Sequence, residues 1–148
     1  MITLQAATRP WRDPWFFFAL AAGPAAWALL ALWLPLAEPG WPAVQPGRFL
    51  VLAVLYPVLE ELVFRGWLQG ALLNRGWGRR IAGPVSAANL AAALGFATAH
   101  LLRTSPAWAA AVILPGLVFG GFRERHGVGA AIALHMFYNA GFFWLFGA

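Results

Sequence analysis

The sequence contains no cysteine and no lysine, and only 15 of its 148 residues are charged. Without cysteine, the chain has no disulfide framework, no cysteine-ligated zinc and no cysteine nucleophile. Its residues are 10% charged and 61% apolar, whereas a soluble domain is about 25% charged and about 45–50% apolar. Disorder is excluded as well, because it requires low hydrophobicity and high charge. These values predict a small polytopic membrane protein.

Apolar runs of about 20 residues, the length that crosses a bilayer, account for most of the chain. They comprise approximately residues 15–36, 49–73, 81–102, 107–122 and 128–146. We therefore predict an all-α, polytopic transmembrane helix bundle of about five spans, which forms one membrane-embedded domain over residues 1–148. Basic residues before the first run also fit a signal peptide, but the run is too long for one and lacks a small-x-small cleavage site.

The arginines indicate topology rather than nucleic-acid binding, because they are scattered in short gaps between the apolar runs. With a cytoplasmic N-terminus, seven arginines lie on the inside and two on the outside. The inside set is Arg9, Arg12, Arg75, Arg79, Arg80, Arg123 and Arg125, and the outside set is Arg48 and Arg103. This positive-inside bias predicts a cytoplasmic N-terminus, and no nucleic acid is expected as a partner.

Three charged residues interrupt the second run, where charges are rare and usually mark a functional cavity. Glu61 and Arg65 are four residues apart, so a helix brings them onto one face as a pair. Glu60 lies about 100° around the helix from Glu61. We expect Glu61 and Arg65 to neutralise each other and Glu60 to face the bundle interior, where a carboxylate is placed to act as a general base. The alternative is a purely structural salt-bridge cluster.

Two histidines and an asparagine also lie inside predicted spans. His100 ends the third run, and His135 and Asn139 are four residues apart in the fifth. A single histidine in an apolar helix is usually a hydrogen-bonded packing residue. Two histidines on different helices, together with the buried Glu60 carboxylate, can instead bind a water molecule directly or through a metal ion.

The predicted depths of these residues disagree. At 1.5 Å per residue, Glu60 lies about 16 Å below the outer end of its span, whereas His100 lies about 3 Å from the outer end of the next. A shared site requires the third helix to continue towards Pro106 or to tilt, or the span boundaries to differ from those predicted.

Three motifs occur in order on successive predicted helices: Glu60-Glu61-x-x-x-Arg65, Phe96-x-x-x-His100 and His135-x-x-x-Asn139. Together they resemble the motifs of the CAAX-protease and bacteriocin-processing family (CPBP, also called ABI), which includes the type II CAAX prenyl endopeptidases. The resemblance covers the motif-bearing core, about residues 49–148. This chain departs from the prenyl endopeptidases in having fewer spans.

The resemblance implies an intramembrane endopeptidase. Its implied catalytic residues are Glu60, Glu61, Arg65, His100, His135 and Asn139. Glu60 would be the base that activates water, and Asn139 with one histidine would hold the oxyanion. No cofactor is favoured, since the HExxH zinc helix is absent, but Glu60, His100 and His135 can supply three zinc ligands.

The resemblance further implies a bacterial plasma membrane protein that cleaves a peptide or a membrane-anchored protein. A prenylated substrate is not expected, because bacteria generally lack one. The rival interpretations are a non-enzymatic immunity or self-resistance protein and a proton-conducting helix bundle that uses the intramembrane acids and histidines as relay groups. The sequence does not indicate the oligomeric state.

Overall fold

The computed structural model describes residues 9–147, except for the side chains of residues 81 and 82. Residues 1–8 and 148, which the predicted domain includes, lie outside the described part. A 3₁₀ turn at Pro10–Arg12 precedes helix α1. The main elements are α1 (Pro14–Leu30), α2 (46–73), β1 (Ile81–Ala82), β2 (Val85–Ser86), α3 (Ala87–His100), α4 (Pro106–Ala111), α5 (Ile113–His126) and α6 (Val128–Phe146). The predicted all-α class is confirmed.

Helix α1 begins where the predicted first span begins and ends earlier. Asp13 caps it, because its carboxylate accepts a hydrogen bond of 2.9 Å from the backbone N–H of Trp15 and so satisfies a free donor of the first turn. The helix ends at Leu30 instead of continuing to residue 36. Turns follow at residues 31–33, and Pro35 prevents a helix from reaching residue 36, since a proline disfavours helical geometry in the residue before it.

Helix α2 is continuous, but its hydrogen-bond register changes twice. Ordinary α-helical turns at Pro46–Leu50, Tyr56–Glu61 and Gln69–Leu73 alternate with π-helical turns at Val51–Leu55 and Leu62–Leu68. Such π turns are rare and frequently occur at functional sites. The short α-helical stretch between them carries Glu60 and Glu61.

The third predicted span starts later than expected. The chain first forms a small antiparallel hairpin in which Ile81 pairs with Ser86 and Ala82 with Val85. Gly83 has a φ of +62°, a left-handed conformation that glycine tolerates best, and the following Pro84 completes the turn. Helix α3 begins only at Ala87 and has 14 residues, so it is about 21 Å long.

The last two predicted spans lie close to their expected positions. Helices α4 and α5 form one rod with a break at Val112 that continues to His126, beyond the predicted end at residue 122. Gly127, with a φ of +88°, reverses the chain, and α6 then covers the predicted span of 128–146. In the described part of the chain, two helices are long and apolar enough to cross a membrane: Pro106–His126 and Val128–Phe146. The total of five spans stays a prediction.

Packing in the bundle centres on α5, which lies between α3 and α6. Helix α6 also contacts α2 and α1. Several polar side chains are buried and many large apolar ones face outward, which is unusual for a soluble protein. The most buried side chains include Arg65, Gln69, Glu61 and Asn89, whereas the exposed ones include Trp33, Trp67, Leu102 and Leu114. This arrangement matches a bundle whose surroundings are lipid.

Candidate active site

The predicted pair of Glu61 and Arg65 is present in α2. The Arg65 Nη1 atom lies 3.2 Å from Glu61 Oε1, and both side chains are 0% exposed. Desolvated charges are stable only when they are paired and well supported. The pair therefore has to be held by the helices packed around it.

Helices α3 and α5 supply that support to Arg65. Its Nη2 atom donates a hydrogen bond of 3.0 Å to the backbone carbonyl of Gly116 on α5. Its guanidinium carbon lies 4.5 Å from the ring centre of Phe96 and 5.8 Å from that of Phe119, which are cation–π distances. A side chain at position 116 would crowd Arg65 Nη2 and the Cβ of Ala93, so glycine allows α5 to approach this closely.

His135 on α6 links the two glutamates. Its Nδ1 atom lies 2.9 Å from Glu61 Oε1, and its Nε2 atom lies 3.6 Å from Glu60 Oε2. The first distance is a hydrogen bond, and the second is an ion-pair distance too long for a hydrogen bond. The ring of Phe119 stacks on the imidazole at 4.8 Å and fixes its plane. Because the Glu61 carboxylate can only accept a hydrogen bond, His135 is the donor through Nδ1–H. This bond directs the Nε2 atom of His135 towards Glu60.

His100 joins the cluster from the end of α3. Its Nδ1 atom donates a hydrogen bond of 2.9 Å to the carbonyl of Phe96, since a carbonyl oxygen can only accept. In the neutral ring, the lone pair is therefore on Nε2, as in His135. His100 and His135 are both within electrostatic range of Glu60. The Phe96 ring lies between the histidines, 4.4 Å from His100 and 5.7 Å from His135.

The structure resolves the depth disagreement through the short α3. The Arg103 guanidinium, just beyond the end of α3, lies 5.3 Å from the ring centre of Tyr56, in the middle of α2. The end of α3 is thus level with a residue one helical turn before Glu60. The predicted start of the third helix was wrong, because residues 81–86 form the hairpin and are not part of the helix.

Glu60 and Glu61 have different environments although they are adjacent in sequence. Glu61 is fully buried and contacts both Arg65 and His135. The Glu60 side chain is 29% exposed and faces His135 Nε2. The Glu60 carboxylate is therefore accessible from outside the bundle, whereas that of Glu61 is not.

Asn139 is directed away from this cluster. Its Nδ2 atom donates a hydrogen bond of 3.1 Å to the backbone carbonyl of Leu52. Leu52 lies about two helical turns before Glu60 in α2. The structure therefore brings five of the six predicted site residues together, with Asn139 at the edge.

A three-ligand metal centre is not formed by the described residues. Within residues 9–147, no group of three histidine, cysteine, aspartate or glutamate side chains is placed so that it could hold a metal ion. The two Nε2 lone pairs and the Glu60 carboxylate are still the donor types that zinc prefers.

A second polar cluster, the Gln69 cluster, was not predicted. Gln69 Nε2 donates to the Gly120 carbonyl at 3.1 Å and to Glu124 Oε1 at 2.7 Å. Ser86 Oγ donates to the same Glu124 oxygen at 2.5 Å, and Asn89 Nδ2 donates to the Leu117 carbonyl at 2.9 Å. The helical spacing contained a signal for it, because Gln69 follows Arg65 by four residues and so continues the face of the Glu61–Arg65 pair.

Comparison with known families gives one match. The family model described as "Rce1-like: Type II CAAX prenyl endopeptidase Rce1-like" matches residues 42–141. The matched region contains all six predicted site residues. Comparison with curated proteins gives no match, and comparison with solved structures gives none either.

Proposed function

The chain belongs to the Rce1-like family of type II CAAX prenyl endopeptidases, and from this premise we propose that it is an intramembrane endopeptidase in which Glu60 activates the attacking water. Membership of the family indicates a membrane protease, and hence a hydrolase. The substrate in this proposal is a peptide or a membrane-anchored protein. One observation carries the assignment of the base: of the two adjacent glutamates, only Glu60 is accessible and free of the Arg65 pair.

The reaction begins when the Glu60 carboxylate takes a proton from water. The hydroxide forms a bond to the scissile carbonyl carbon, and the carbonyl oxygen becomes an oxyanion. The carbon–nitrogen bond then breaks, and the leaving amine takes the proton back from Glu60. The products are a carboxylic acid and an amine, and transfer of the acid's proton to the amine gives a carboxylate and an ammonium, so protons and charges balance. A positioned base of this kind typically contributes about 10²–10⁴-fold to the rate.

The histidines are the donors nearest to the reacting carbonyl in this proposal. His135 is oriented by Glu61 through Nδ1, and His100 is oriented by the Phe96 carbonyl through Nδ1. When protonated, each has an Nε2–H group to donate, and that of His135 faces Glu60. Preorganised donors in a dry site stabilise a developing oxyanion strongly.

The metal-free form of this mechanism is the one we favour, and the zinc form is its alternative. In the zinc form, Glu60, His100 and His135 would hold the ion, which would lower the pKa of its bound water. The orientation of both imidazoles by Nδ1 hydrogen bonds is compatible with either form, because metal-bound histidines have such partners too.

The test is Glu60→Gln in a reporter-cleavage assay with the purified protein in lipid vesicles. We expect at least a 100-fold loss of cleavage, because the amide cannot accept the proton from water. Glu38→Gln is the matched control, since Glu38 is exposed in the loop after α1, and it should cleave normally. Full activity of correctly inserted Glu60→Gln would refute the role of Glu60 as the base, and absence of cleavage by the wild type would leave the immunity or proton-conduction alternatives. Loss of wild-type activity with a zinc chelator would select the zinc form.

We also propose a plasma membrane location in a bacterium, with the N-terminus in the cytoplasm. The distribution of arginines between the helices supports this orientation. Among the described residues, Arg75, Arg79 and Arg80 follow α2, and Arg123 and Arg125 end α5. The two ends of the bundle therefore differ in positive charge.

A further inference from the structure

A second layer of side chains lies one helical turn from the cluster of glutamates and histidines. Tyr56 and Glu60 are four residues apart in the α-helical stretch Tyr56–Glu61, so they lie on the same face of α2. On the neighbouring helix, Arg103 comes three residues after His100, just beyond the end of α3. The Arg103 guanidinium carbon lies 5.3 Å from the ring centre of Tyr56. The two helices therefore bring this arginine to the tyrosine next to Glu60.

The turn that carries Arg103 is tied to His100. The His100 carbonyl accepts hydrogen bonds from the backbone N–H of Arg103 at 3.0 Å and from that of Thr104 at 2.9 Å. The Thr104 hydroxyl donates to the same carbonyl at 2.9 Å. These bonds hold the backbone of Arg103 close to one of the two histidines of the candidate active site.

The Arg103 guanidinium is available to bind an anion. Its side chain is exposed, and none of the ion pairs formed among residues 9–147 includes it. Its contact with Tyr56 is at cation–π distance and holds the guanidinium beside the site. A guanidinium that packs on an aromatic ring keeps N–H donors in its own plane, and their spacing matches the two oxygens of a carboxylate. An anionic group near the scissile bond would therefore find a positioned partner here.

We propose that Arg103 determines substrate specificity by binding a carboxylate of the substrate near the bond that is cut; the proposal rests on the proposed function. Tyr56 and Glu60 are one helical turn apart, about 5.4 Å, and an extended peptide advances about 3.3 Å per residue. The carboxylate therefore belongs about two residues from the scissile bond. It is supplied by an acidic side chain or, in a substrate that ends there, by the C-terminus. Its contact with Arg103 would select which bond of an apolar segment lies at Glu60.

The test compares reporters that differ by one charge. A single-span reporter with a mapped cleavage site receives Asp or Asn at each position within about three residues of the scissile bond and is mixed with the purified protein in phosphatidylcholine vesicles. At one position about two residues from the bond, Asp should lower KM about 10-fold relative to Asn, because hydrogen bonds to charged groups are strong. The kcat should change little, since this bond forms in the ground state and the transition state alike. Arg103→Gln should raise the KM of the Asp reporter to that of the Asn reporter.

Shortened reporters distinguish the two sources of the carboxylate. A reporter that ends about two residues beyond the scissile bond is prepared with a free or an amidated C-terminus. A lower KM for the free form alone identifies the terminal carboxylate as the ligand of Arg103, whereas a preference confined to internal Asp identifies a side chain. Either result supports the proposal if Arg103→Gln removes it.

Arg48→Gln is the matched control. Arg48 is also an exposed arginine on the predicted outer side, but it precedes Tyr56 by about two helical turns, so the preference for Asp should persist in this variant. Arg103→Glu should reverse the preference, so that a reporter with Lys at the selected position has a lower KM than one with Asp. Equal losses of cleavage of the Asp and Asn reporters in Arg103→Gln would show a structural or lipid-binding role and overturn the proposal. Absence of any preference for Asp in the wild type would overturn it too.

A binding measurement separates this proposal from the assignment of the base. Fluorescence anisotropy of labelled Asp and Asn reporters gives Kd values for Glu60→Gln, in which the proposed reaction is blocked. The Asp reporter should bind about 10-fold more tightly, and this difference should disappear when Arg103→Gln is added. The difference does not depend on which residue is the base, so it would persist in the KM values if Glu60→Gln proved fully active. Equal affinities for the two reporters would overturn the role of Arg103 and leave the role of Glu60 unaffected.

Discussion

The buried Glu61–Arg65 pair allows the stability of the site to be measured separately from its chemistry. Replacing Arg65 with methionine leaves the Glu61 carboxylate without its cation in a place where its partner was 3.2 Å away and both side chains were 0% exposed. A buried ion that loses its partner typically destabilises a protein by about 3–5 kcal/mol. We expect Arg65→Met to have a cost in this range, since it also loses the hydrogen bond to Gly116.

Once Arg65 has been replaced, a substitution of Glu61 should cost little further stability. In an Arg65→Met background, Glu61→Gln removes the unpaired charge, and the glutamine can still accept from His135 Nδ1. We therefore expect it to change the free energy of unfolding by less than about 1 kcal/mol there, while the same change in the wild type costs about 3 kcal/mol or more. The coupling energy is then at least about 2 kcal/mol, within the range found for residues in direct contact.

Equilibrium unfolding in mixed micelles measures these values, with the fluorescence of the nine tryptophans as the signal. Glu60→Gln serves as the control, because Glu60 is 29% exposed and lies 3.6 Å from the imidazole of His135, outside the Glu61–Arg65 pair. An accessible charge pair contributes at most about 1 kcal/mol, so this variant should unfold like the wild type. Additive effects of Glu61→Gln and Arg65→Met would refute the view that the two form a mutually dependent buried pair.

Two further predictions concern the ends of the bundle. A hydrogen bond from His126 holds the pKa of Asp13 below its ordinary value. The ionised Asp13 therefore contributes its full stability above about pH 4, the pKa of an aspartate in the unfolded chain. This contribution is lost as the pH falls through the lower pKa of Asp13 in the folded protein. In acid unfolding, the stability of Asp13→Asn should therefore lack this pH-dependent contribution. Identical pH profiles of stability for Asp13→Asn and the wild type would contradict the prediction. Because the chain has no native cysteine, Ala43→Cys should react with an impermeant maleimide in intact cells and Asn74→Cys only after permeabilisation; the reverse pattern would exclude a cytoplasmic N-terminus.

Regular helical spacing made part of the site predictable from the sequence. Four-residue spacing correctly indicated that Glu61 pairs with Arg65 and that Glu60 has a different environment. The same spacing extends to Gln69, whose contacts with Gly120 and Glu124 were not predicted. An uncharged amide in an apolar helix does not by itself indicate a buried polar cluster. Helical geometry thus predicts which residues share a face, but not which neighbouring helix covers that face.

The role of Asn139 could not be derived in this way. Spacing places it on the face of His135, which suggests a shared site, but its partner is the Leu52 carbonyl in a different helix. The π-helical register at Val51–Leu55 was not predicted either. Likewise, the apolar composition of residues 81–86 suggested a helix, whereas the Gly83–Pro84 turn produces a hairpin.

The shortness of α3 has a consequence for the lipid around the protein. The hydrocarbon core of a bilayer is about 30 Å thick, and α3 is about 21 Å long. Arg103, Thr104 and Ser105, which come shortly after it, are polar and exposed, and Arg103 reaches Tyr56 on the longer α2. A helix shorter than the hydrocarbon core is accommodated by thinning of the bilayer or by snorkelling of flanking residues. We therefore expect the bilayer to be thinned beside His100, which would bring head groups and water close to Glu60.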